Sequence, residues 1–109
     1  MATDVLLVLT TVPDVATARD IANALVGNGL AACVTALPAA TSTYHWQGIV
    51  ERAEEIPLMI KTTRARLDAL TEALRRQHPY EVPEILALPV EAGLPAYLAW
   101  VTETTRDEH

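Results

Sequence analysis

The chain has 109 residues, half of them hydrophobic and 20% charged, with a formal net charge of −6. That size and composition suit one compact domain over residues 1–109 with a real core, and they argue against disorder. The acidic balance disfavours a nucleic-acid partner, because phosphates call for cationic surface; no apolar run approaches the roughly 20 residues that span a bilayer; and a lone cysteine, Cys33, excludes an internal disulfide or a multi-cysteine zinc site.

Residues 4–11, DVLLVLTT, form a short apolar run rich in strand formers. Its lack of alternation predicts a strand buried on both faces. VLLVL at 5–9 is too short for a signal segment and has no basic flank, so a cytoplasmic protein is expected. Asp14 after Pro13 is a good N-cap, and Ala18, Ile21, Ala22, Leu25 and Val26 then recur at helical spacing. Gly27 and Gly29 supply the stop.

LAACVTALPAATSTYHW at 30–46 contains Val, Thr, Tyr and Trp, which favour extended chain. Gln47-Gly48 reads as a hairpin turn, and IVERAEEIPLMIKT at 49–62 as the returning strand. Thr62 or Thr63 can cap a second helix, with Leu67, Leu70 and Leu74 in one stripe and Arg75 and Arg76 in a last turn that favours cations. His78 and Val82 each precede a proline, which disfavours helix and ends it near His78. EILALPV at 84–90 reads as a strand, and Pro95 opens a short helix containing Tyr97, Leu98 and Val101.

The order β-α-β-β-α-β plus a terminal helix predicts an α+β, ferredoxin-like split βαβ arrangement. Its second and fourth strands are expected at the sheet edges, where the missing N–H of Pro38 and of Pro89 is tolerable. Pro57 falls in a strand expected to be central, so a bulge or a position beyond the main sheet is expected there. At about 3.3 Å per residue, an unbroken 30–46 strand would reach about 56 Å. A bare two-stranded ribbon is marginal in water, and this one carries Tyr44 and Trp46 near its tip. The protruding hairpin therefore points to packing on another subunit; the plainer alternative is a ribbon bent back on its own domain.

His78, Tyr80 and Glu84 lie in a proline-stiffened segment, HPYEVPEILALPV. Imidazole with carboxylate can ligate a divalent metal such as copper or zinc, or act as acid and base. The plainer reading has His78 closing the helix and Glu84 starting a strand; no HExxH is present, and His45 and His109 are remote in sequence. Lys61 between strand and helix cap can face an anion, or simply be solvated or ion-paired, with Glu84 as one candidate partner. No glycine-rich phosphate loop occurs. Cys33 reads as a small buried hydrophobe, and Tyr44, Trp46, Tyr97 and Trp100 as packing or interface residues.

LAACV at 30–34, Tyr44 with Trp46-Gln47-Gly48, IKTT at 60–63, HPYEVPEI at 78–85 and YLAWV at 97–101 occur in one order with consistent spacing. On these motifs, residues 5–101 closely resemble the CutA family of divalent cation tolerance proteins. The resemblance implies a ferredoxin-like subunit in a homotrimer with interlocked hairpins, an architecture similar to the PII signalling trimers. It implies a non-enzymatic role in tolerance of copper and other divalent metals. His78 and Glu84 match family positions and become the candidate metal ligands, with Cu2+ the expected ion. Lys61, Tyr80, Tyr97 and Trp100 become candidate lining of an intersubunit cleft, and Tyr44 and Trp46 of the trimer interface. Some bacterial members carry a cysteine where this chain has Thr10 and a second histidine where it has Gln77. The soft donor suited to tight Cu(I) binding is thus absent, which leaves a weaker imidazole–carboxylate site. Two other readings are a PII-like sensor of a small anionic metabolite or nucleotide, motivated by Lys61, and a structural trimer that anchors other proteins. An enzyme with His78 as base ranks last, because no paired nucleophile is visible.

Overall fold

The computed structural model describes residues 3–106. His109 lies outside them. The elements are β1 (Val5–Val12), α1 (Val15–Gly27), β2 (Cys33–Ala36), β3 (Ala40–Trp46), β4 (Ile49–Thr63), α2 (Arg64–Gln77), β5 (Leu86–Pro89) and α3 (Pro95–Thr104). The result is an α+β chain with an antiparallel sheet and three helices.

Local signals place most boundaries. The Asp14 carboxylate accepts a hydrogen bond from the Thr17 N–H at 2.8 Å, which caps α1 and holds the Asp14 carboxyl below its usual range. α2 stops at Gln77 because His78, ahead of Pro79, is extended (φ −76°, ψ 132°). Thr63 occupies the N-cap of α2, yet its hydroxyl makes no capping bond; it lies 3.4 Å from the Thr105 hydroxyl instead. Gln47 (φ 51°) and Gly48 (φ 82°) both have positive φ, as a tight hairpin turn matching the strand twist requires.

The strand order is β2-β4-β1-β5, with β3 paired to the outer half of β4. The expected single strand over 30–46 is in fact two strands, broken at Leu37-Pro38-Ala39. The longest dimension of the described chain is 44 Å, so no 56 Å arm forms. The break also accounts for Pro57. This proline sits in the central strand opposite Thr11, without the expected bulge. Its carbonyl accepts from the Leu37 N–H at 2.9 Å, so its own nitrogen faces the same side, where β2 and β3 part. No ladder hydrogen bond is lost, because the partner strand is interrupted where Pro57 cannot donate.

Alternation along β1 and β4 sorts residues onto two faces. Val8, Val12, Ile56, Leu58 and Ile60 meet Ala18, Ile21 and Leu25 of α1 and Leu70, Ala73 and Leu74 of α2 in the main core. The other face is covered only at one end, where Val101 of α3 packs with Val5 and Ala32. Beyond that end, Leu7, Leu9, Met59, Leu86 and Leu88 form an apolar surface that no helix of the described chain covers; Leu86 and Leu88 are 55% and 42% exposed. Ala40–Trp46 and Ile49–Glu55 continue past the end of β1 as a two-stranded arm, exposed along most of its length.

Candidate functional site

A groove of about 860 Å³ lies where this arm leaves the sheet. One wall is the hairpin. Tyr44 pairs with Glu51 and Ser42 with Ala53 in its ladder, so these side chains share a face, which Trp46 and Glu55 continue. The opposite wall is the segment 79–84, carrying Tyr80, Glu81, Val82 and Glu84. Prolines at 79 and 83 keep this segment out of regular structure and let it cross from the end of α2 towards β5. Thr11, at the end of β1, lies between the two walls.

The two walls are joined by one short contact. The Tyr80 hydroxyl donates to Glu55 Oε2 at 2.7 Å. Burial pushes the Tyr80 phenol well above its ordinary value, and the hydrogen bond and charge of Glu55 push it further in the same direction. Tyr80 therefore stays a proton donor at neutral pH. Glu55 is 7% exposed and the only acidic side chain buried among the described residues.

His78, expected as a metal ligand, has both ring nitrogens engaged within the chain. Its Nε2–H donates to the Thr11 carbonyl at 2.8 Å, and its Nδ1 accepts from the Tyr80 N–H at 3.2 Å. Those two partners require the neutral Nε2–H tautomer and occupy both ring nitrogens. The ring is 7% exposed and packs on Tyr80 at 4.8 Å. It ties the end of α2 to β1 and orients Tyr80. No lone pair is left for a metal, and the described residues contain no group of three or more His, Cys, Asp or Glu side chains placed to hold an ion. One chain therefore does not fit a preformed copper site.

The other candidates separate in space. Glu84 and Tyr80 do line the groove, together with Tyr44 and Trp46. Lys61 does not: its Nζ donates to Thr35 Oγ1 at 2.9 Å and lies 3.8 Å from Cys33 Sγ, on the uncovered sheet face. It neither pairs with Glu84 nor faces the start of α2. Cys33 is half-buried beside that lysine, not enclosed in the core as expected. Tyr97 and Trp100 meet on α3 with ring centroids 5.5 Å apart and planes tilted by 43°, are 40% and 45% exposed, and are not part of the groove wall within one chain. Sequence reasoning missed Glu51, Glu55 and Glu81. The period-2 pattern of 55, 57 and 59 could have placed Glu55 on the uncovered face, but Glu54-Glu55 alone gives no sign of which is buried.

The family model described as CutA1 divalent ion tolerance protein matches residues 6–104. The chain belongs to the CutA1 family. A curated relative, the divalent-cation tolerance protein CutA of Citrobacter koseri, is 45% identical over 103 residues, covering 94% of this chain and 90% of the relative. Among solved structures, CutA from Xylella fastidiosa superposes with a TM-score of 0.93 at 45% identity, covering 95% of this chain and all of that one. The divalent cation tolerance protein of Thermus thermophilus gives 0.91 at 47% identity, covering 94% and 99%. The family is one of divalent cation tolerance, which ties this CutA1 chain to metal tolerance. Among the described residues, no helix is long and apolar enough to cross a membrane.

Proposed function

We propose that this CutA1 chain is a non-enzymatic homotrimer acting in divalent-cation tolerance, with its grooves forming cation-facing clefts between subunits. The observation that carries this reading is the groove itself. It has four glutamates, Glu51, Glu55, Glu81 and Glu84, and no Lys, Arg or His in its wall, and it opens beside the uncovered sheet face. A continuous apolar surface of this kind favours association, since leaving it in water forfeits burial energy. In such an assembly Tyr44 and Trp46 on the arm would meet a neighbour, and the exposed Tyr97–Trp100 pair would be available to one. A ferredoxin-like split βαβ description suits the observed strand order, with β2 and β5 at the edges.

Within this proposal the divalent ion, Cu2+ included, is held by carboxylates such as Glu84, and His78 positions Tyr80. Carboxylates give weaker and less copper-selective binding than imidazole or thiolate. The alternative of a small anionic ligand loses its motivation, because Lys61 lies away from the groove and the wall is acidic. The cytoplasm remains the proposed location; the relative from Archaeoglobus fulgidus is described as periplasmic, and that description concerns the relative.

Two measurements test the proposal. Light scattering at micromolar concentration is expected to return three times the chain mass, and Leu88→Lys, which sets a charge on the uncovered face, is expected to lower it. A lone-chain mass for the wild type would sink the assembly. Calorimetric titration with Cu2+, Zn2+ and Mn2+ is expected to show binding weakened by Glu84→Gln and little changed by a conservative replacement of His78. Binding indifferent to Glu84→Gln and Glu51→Gln would remove the groove from the metal reading.

A further inference from the structure

We propose that His78 is an acid-sensitive catch: protonating its ring displaces Tyr80 and parts the segment 79–84 from the hairpin arm. The inference concerns how the two walls of the groove are held together, and it needs neither a metal ion nor a neighbouring chain.

Three hydrogen bonds run in series from the sheet to the arm. The His78 Nε2–H donates to the Thr11 carbonyl at 2.8 Å, the Tyr80 N–H donates to His78 Nδ1 at 3.2 Å, and the Tyr80 hydroxyl donates to Glu55 Oε2 at 2.7 Å. The middle bond is the one that a proton breaks. Nδ1 accepts through a single lone pair, and the imidazolium carries a hydrogen in that place. That hydrogen would point at the Tyr80 N–H, donor against donor. Nε2–H keeps its acceptor in both states, so the ring stays tied to β1 and Tyr80 is the partner that moves.

No group beside the ring can accept from the protonated Nδ1. His78 is 7% exposed, and no carboxylate hydrogen-bonds it among the described residues. The titratable groups on its far side are reached through Tyr80, whose ring lies 4.8 Å away. These are Glu55 of β4, bonded to the phenol, and Tyr44 of β3 and Asp14 ahead of α1, both within electrostatic reach of the phenol. Thr11 of β1 offers only its carbonyl, already used. Arg75 and Arg76, on the helix that His78 ends, are exposed and turned to Glu72. A buried N–H without an acceptor is costly, so protonation favours a conformation in which Nδ1 reaches water. One residue, Pro79, links the ring to Tyr80, and its fixed φ leaves little slack to absorb the shift. The displacement therefore reaches the Tyr80 hydroxyl and its bond to Glu55, the short contact between the groove walls. The catch is closed while His78 is neutral and opens as pH falls.

The test uses the full chain with EDTA present, so that metal occupancy plays no part and the divalent-cation reading keeps its own titration. Trp100→Phe leaves Trp46, in the groove wall, as the sole tryptophan. Between about pH 8 and about pH 5, the range in which imidazoles change charge, Trp46 emission is expected to shift in a single-proton step with far-UV circular dichroism unchanged. 15N NMR of the imidazoles in the otherwise unaltered chain is expected to show His78 as the Nε2–H tautomer at the high end, with its protonation and the shift of the Tyr80 amide following one curve. Glu55→Gln keeps a carbonyl oxygen for Tyr80 and removes a titrating group. The emission step should persist in Glu55→Gln and in His45→Gln, and vanish in His78→Gln. Absence of a step, a step that survives His78→Gln, or one abolished by Glu55→Gln overturns the inference. So does a step whose midpoint moves with protein concentration, which reports dissociation of subunits instead. Where His78→Gln does not fold, the NMR decides alone: a Tyr80 amide indifferent to protonation of His78 overturns the inference.

Discussion

Ile60 and Met59 are neighbours in β4, yet they meet opposite environments. Ile60 is fully buried between the sheet and the paired helices α1 and α2, as are Val8 and Leu58. Met59 points to the other face, half-buried, in a row with Leu7, Leu9 and the exposed Leu86 and Leu88. Both faces are apolar, but only one is complete within the chain. The closed face holds the chain together, while the open face is left to solvent by the chain's own helices. The difference comes from the number of helices: two cover one face, and α3 is short and sits over the Val5 end of the other.

The largest expected effect separates the faces directly. Ile60→Ala should cost about 2–5 kcal/mol in urea unfolding, the range for a large aliphatic removed from a packed core, at every protein concentration. Met59→Ser should act through association, so its cost should shrink as the protein is diluted. Equal, concentration-independent losses would break the distinction between the two faces.

His78 sits at the junction of the two regions and sharpens the comparison. His78→Ala should destabilise by about 1–3 kcal/mol, because the Thr11 carbonyl and the Tyr80 N–H both lose a partner. Metal titration of the same variant decides its role. Lost stability with retained metal affinity supports a positioning function, whereas abolished affinity at unchanged stability would restore His78 as a ligand.

The smallest effect belongs to the closed face. Thr10 is 1% exposed, opposite Leu58, and its hydroxyl has no hydrogen-bond partner. Thr10→Val keeps the shape and removes the orphaned group, so the thermal midpoint should rise, by about 1 kcal/mol of stability. A fall in the midpoint would mean that the hydroxyl has a partner the structure does not record.

Much of this was legible beforehand, for local reasons. Asp14 ahead of a helical stripe, His78-Pro79 at a helix end, Pro95 at a helix start and Gln47-Gly48 at a turn each act within four residues, and each lies where expected. The family motifs were readable for the same reason: they are short and contiguous. The broken second strand was not, because Pro38 says nothing by itself of Pro57 across the ladder. Nor was the groove. Tyr80 reaches Glu55 across 25 positions, and His78 reaches Thr11 across 67.

By itself, then, the sequence determined where helices begin and end, which residues alternate, and to which family the chain belongs, since these depend on backbone sterics and local order. Only the tertiary structure decided that Glu55 is buried while Glu54 is exposed, that both nitrogens of His78 are engaged, and that Lys61 stands apart from the acidic groove. Those outcomes depend on which face of a strand meets which distant segment, and that is set by packing of the whole sheet.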